Sequence, residues 1–62
     1  MNKFEIKMDD GDIFYMTNDY DIKEISEKIN KVNVETDFIS DDVNFMVRIK
    51  NIKSIKLIES NL

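Results

Sequence analysis

Phe4, Ile6 and Met8 alternate with Lys3, Glu5 and Lys7, and the alternation stops at Asp9-Asp10-Gly11-Asp12. A period of two puts the apolar set on one face of a strand and the charged set on the other. The Asp-Gly pair supplies the positive φ that a tight hairpin needs. Ile13 to Thr17, rich in β-formers, follows as the return strand. The start of the chain is therefore committed to an antiparallel hairpin. Its second strand is apolar on both faces, Ile13 and Tyr15 against Phe14 and Met16. It is expected either at the centre of a sheet or against a partner.

The pattern then changes period. Asn18 to Asp21 offers side-chain acceptors for the free N–H groups of a first helical turn, and Glu24 stands three residues after Asp21 as in a capping box. Ile22, Ile25, Ile29 and Val32 recur at helical spacing and predict one stripe facing a core, in a helix over roughly 20–31. Glu24–Lys28 and Glu27–Lys31 are i,i+4 pairs in the favourable orientation, with acids opening the helix and lysines closing it. Asn30 or Asn33 is expected to end it in a left-handed conformation.

Val34 to Ile39 predicts a third strand, and Ser40-Asp41-Asp42 a turn. Val43, Phe45, Val47 and Ile49 alternate with Asn44, Met46, Arg48 and Lys50, a fourth strand that Asn51 punctuates. The tail Ile52 to Ile58 fits two readings: Ile52, Ile55 and Ile58 fit a helix face, and Ser54 to Glu59 fits a fifth strand. The β-branched content and the missing cap favour a strand with Ile55 and Leu57 inward. The predicted fold class is α+β, in the order ββαβββ. It is a small antiparallel sheet of four to five strands with one helix packed on one face. The other face is either solvated or buried in a dimer.

At 62 residues the chain is one domain, 1–62. A core at this length rarely supplies more than about 3–5 kcal/mol, and small domains usually add a staple. Cysteine and histidine are both absent, which removes disulfides and the common zinc chemistries. Self-association is the remaining staple, so a homodimer or higher homo-oligomer is expected. No apolar run is long enough to span a membrane, and Glu5 and Asp9 interrupt any signal core, so cytoplasmic residence is expected.

The same absences argue against catalysis. Without histidine or cysteine there is no base or nucleophile tuned near neutral pH, and no motif surrounds any serine or threonine. The chain is expected not to be an enzyme and to carry no cofactor and no metal. The Asp9-Asp10-Gly11-Asp12 loop does not match calcium-loop spacing and reads as a solvated turn, as do Asp41 and Asp42.

Charge divides the chain. Residues 1–45 hold five lysines against twelve carboxylates, whereas residues 46–62 hold Arg48, Lys50, Lys53 and Lys56 against Glu59. Those four basic residues are the candidates for binding nucleic acid. The acidic total, net −4, argues against that use and favours a guarded edge strand. The carboxylate surplus also raises mimicry of DNA phosphates. Phe14, Tyr15, Met16 and Met46 are the candidate anchors for a protein interaction, as an exposed apolar patch with adaptable methionines.

The run Phe45-Met46-Val47-Arg48-Ile49-Lys50-Asn51-Ile52-Lys53-Ser54-Ile55, with the opening Asp-Gly hairpin and the mid-chain helix, resembles small uncharacterised proteins of low-GC bacteria and their phages. A low-GC source also agrees with the composition. Isoleucine, lysine, asparagine and aspartate exceed half the chain, while alanine and proline are absent. The resemblance implies an accessory factor, such as a phage-encoded inhibitor of a host protein or defence system. The leading expectation is a non-catalytic protein-binding factor acting as a homo-oligomer. The alternatives are a nucleic-acid-binding module and a small-molecule sequestering protein with its pocket at a subunit interface.

Overall fold

A computed structural model describes residues 1–41 and 45–61. Its elements run β1 (Asn2–Met8), β2 (Ile13–Asn18), α1 (Ile22–Asn30), β3 (Phe38–Asp41), β4 (Phe45–Arg48), a 3₁₀ turn (Ile49–Asn51) and β5 (Ile52–Glu59). The strands form two antiparallel sheets, β2-β1-β5 and β3-β4, in place of the single sheet expected.

The β1–β2 hairpin forms as its residues dictate. The Met8 carbonyl accepts from the Gly11 N–H at 3.0 Å, and the Met8 N–H donates to the Asp12 carbonyl at 2.8 Å. Gly11 sits between these bonds at φ 96°, the left-handed position that closes a short bulged hairpin loop. The Asp10 carboxylate accepts from the Asp12 N–H at 3.0 Å and stiffens the turn. The two-residue period holds along β1. Phe4 and Ile6 are fully buried and Met8 nearly so, while Lys3, Glu5 and Lys7 lie on the outer face.

One expectation is narrowed at strand level and another fails. β2 lies at a sheet edge, which excludes the central position of the two expected for it; β5 takes the other side of β1, with Ile6 opposite Ile55 and Phe4 opposite Leu57. The fourth strand stops at Arg48. There the chain turns a corner, with the Ile49 N–H bonded to the Asp37 carbonyl at 3.1 Å and the Asn51 carbonyl accepting from Asp9 N–H at 2.9 Å. The corner buries Ile49 and redirects the chain into β5. Ile52 to Ile58 is a strand, with Ile55 packed on the core and Leu57 on the same face but 41% exposed.

Helix α1 begins at the expected cap. Asp21 Oδ1 accepts from the Glu24 N–H at 2.8 Å, and Glu24 Oε1 accepts from the Asp21 N–H at 3.3 Å. Such a cap stabilises a helix by about 1 kcal/mol. The helix ends differently from expectation. Neither Asn30 nor Asn33 is left-handed; Lys31 stays in the right-handed region, and its N–H bonds back to Lys28. Asn33 instead opens a turn. Its side chain accepts from Glu35 N–H, and its carbonyl accepts from Asp37 N–H. Val34 to Asp37 is consequently turn rather than strand, because these local bonds compete with sheet pairing. Ser40 and Asp41, expected in a turn, belong to β3, and Asp42, Val43 and Asn44 lie outside the described residues.

The core lies between the inner face of β2-β1-β5 and a cover made by α1 and the β3–β4 ribbon. Phe4, Ile6, Met8, Met16 and Ile25 form its centre. Ile29 from the helix and Ile39, Phe45 and Val47 from the ribbon pack around them. The Phe14 and Phe45 rings, 5.1 Å apart, join the sheet to the ribbon. Of the predicted helical stripe, Ile25 and Ile29 face the core, whereas Ile22 and Val32 stay exposed.

Candidate functional site

The cover does not close completely. An open groove of about 510 Å³ lies between β2, α1 and β3. Its apolar lining includes Met16 of β2, Ile25 and Ile29 of α1, Phe38 and Ile39 of β3, and Ile49 of the 3₁₀ turn. Tyr20 and Phe38 stand on its rim, 38% and 48% exposed. The segment before the helix fixes Tyr20. Asn18 Oδ1 accepts from the Tyr20 N–H at 3.0 Å, and Asn2 Nδ2 donates to the Tyr20 carbonyl at 2.7 Å.

Each rim aromatic carries a cation. Lys28 Nζ lies 4.5 Å from the Tyr20 ring centroid, and the Arg48 guanidinium lies 5.3 Å from the Phe38 centroid. Lys28 was expected to meet Glu24 along the helix; it turns to Tyr20 instead, where an aromatic face attracts an ammonium. Arg48 is directly opposite Phe38 in the ribbon register, which places its stem along the ring. The groove is thus apolar at its base, with positive charge at its rim.

The candidate protein-interaction residues fall in different places. Met16 is buried in the core, and Phe14 is half-buried against Phe45. Tyr15 is 48% exposed on the outer face of the three-stranded sheet, with Lys3 Nζ 5.0 Å from its ring centroid. Met46 is 67% exposed on the ribbon. Strand alternation separates Tyr15 from its two neighbours, so the four do not make one patch.

The four basic candidates are also dispersed. Arg48 lies at the ribbon end, where it borders a second hollow shared with Asp9, Asp10 and Asp12. Lys50 and Lys53 border a third hollow between α1 and β5. Lys56 is opposite Glu5 on the sheet's outer face. Among the described residues no cluster of three potential metal ligands occurs, and no helix is long and apolar enough to cross a membrane.

Reading the sequence did not single out Tyr20, Lys28 or Phe38 as site residues. They share no motif, and the fold sets Tyr20 and Lys28 on one side of the groove and Phe38 on another. No protein family, curated protein or solved structure matches this chain.

Proposed function

We propose that this protein is a non-catalytic binding factor that holds a partner protein in the groove between β2, α1 and β3. The observation that carries the reading is the groove itself: an apolar base open to solvent, between two exposed aromatic residues that each bear a cation. Exposed apolar surface that is contiguous and rimmed by polar groups marks interaction sites. The layout resemblance, and a composition that agrees with a low-GC source, support a phage-encoded accessory factor that inhibits a host protein.

A second surface supports self-association. Ile13 and Tyr15 stand exposed on the outer sheet face among Lys3, Glu5 and Lys7, and a core this small gains from a second copy covering that face. The two surfaces separate in one experiment, affinity capture from host lysate beside light scattering of the purified protein. Phe38→Asp is expected to abolish capture of the partner and leave the oligomer. Tyr15→Asp is expected to dissociate the oligomer. Circular dichroism checks that both variants fold. Capture that survives Phe38→Asp removes the groove from the function.

A further inference from the structure

The groove touches three consecutive residues of β2, Met16, Thr17 and Asn18, and three of β3, Phe38, Ile39 and Ser40. Successive side chains of a strand point to opposite faces, so a surface made by one face contacts every second residue. Consecutive residues from both strands border the groove, and sheet topology makes β2 an edge strand of its sheet and leaves β3 paired on one side. Both edges are open. β2 pairs with β1 alone and β3 with β4 alone, and among the described residues no backbone hydrogen bond joins β2 to β3. An open edge presents N–H and C=O groups that only another extended main chain satisfies in series.

Size and charge narrow the occupant further. An extended residue in a packed sheet takes about 160 Å³, from the spacings along the strand, between strands and between layers. The groove's 510 Å³ therefore suits about three residues of extended chain. Alternate side chains of such a segment would enter the apolar base over Ile25 and Ile29. Lys28 is the single charged residue among the described lining residues, in a chain whose net charge is −4. An acidic side chain on the occupant therefore meets attraction at the groove.

We infer that the groove binds an extended, apolar segment of a partner protein by strand addition, hydrogen-bonded along the open edge of β2, with β3 as the opposite wall and a carboxylate of the segment against Lys28. This rests on the docking reading above and specifies the conformation and charge of what docks. A helical segment satisfies its own backbone and gains nothing from these edges.

The test pans random linear peptides displayed on phage against the folded protein and maps the winners by amide chemical shifts. Enriched peptides are expected to alternate apolar residues with others and to include Asp or Glu. They are expected to slow hydrogen exchange at alternate β2 amides. Lys28→Glu, an exposed position outside the core, is expected to weaken them about tenfold. N-methylating the peptide's central amides is expected to do the same, the size of one lost hydrogen bond. Tight binding by the N-methylated peptide, or a helical peptide in the groove, overturns strand addition while groove docking stands. Peptides that map to Tyr15 or Met46, or no enriched peptide at all, overturn both.

Discussion

Gly11 is the residue whose identity the backbone dictates most directly. Its φ of 96° is costly for a side chain, yet a Cβ placed there would meet no atom within 4 Å. The penalty of Gly11→Ala is therefore conformational alone, about 1–2 kcal/mol, and chemical denaturation should show it as an earlier midpoint with an unchanged slope. Gly11→Asn should lose less, because asparagine tolerates the left-handed region better. At this scale the sequence was highly legible. Asp21 and Glu24 cap the helix as their spacing predicts, and Phe4, Ile6 and Met8 are buried as their alternation predicts. Asn30 and Asn33 were misread. A residue able to adopt the left-handed conformation need not do so when its side chain has nearby backbone groups to bond, as Asn33 has at Glu35.

Among the elements, the β3–β4 ribbon is the least anchored. It shares no backbone ladder with the three-stranded sheet and is held by side chains, chiefly the Phe14–Phe45 ring pair and the packing of Ile39 and Val47. Phe45→Ala should therefore loosen the ribbon before it unfolds the sheet. Native-state hydrogen exchange should quicken across β3 and β4 while β1 keeps its protection. Equal acceleration in all strands would show that ribbon and sheet open together. The ribbon's length was not legible, because the period-two pattern of 43–50 runs through Ile49 without a break. The corner at Ile49–Asn51 arises from bonds to Asp37 and Asp9, partners distant along the chain. The groove was illegible for the same reason, since its walls are edges of two strands separated by the helix.

The whole molecule is closed by its ends. β1 lies between β2 and β5, Asn61 N–H donates to Asn2 Oδ1 at 3.3 Å, and the N-terminal amine lies 3.8 Å from Asp19. The radius of gyration is 11.0 Å, against about 10.6 Å expected for this length, so the two sheets pack as one body. Truncation before Ile52 should consequently abolish the fold instead of trimming it. A two-stranded hairpin is marginal in water, and the loss of β5 uncovers Phe4 and Ile6. Circular dichroism of the truncated chain checks this, and a cooperative thermal transition would contradict it. The sequence by itself determined, through local signals, the hairpin at Gly11, the capped start of the helix and the alternation that buries Phe4, Ile6 and Met8, but not the bounds of β3 and β4. Only the tertiary structure decided which strands pair, that β2 is an edge, and that a groove opens beside it. Local periodicity says which side of a strand is apolar, but pairing joins backbone groups at the strand's edges and can draw a partner from anywhere in the chain, as β5 pairs with β1 from the far end.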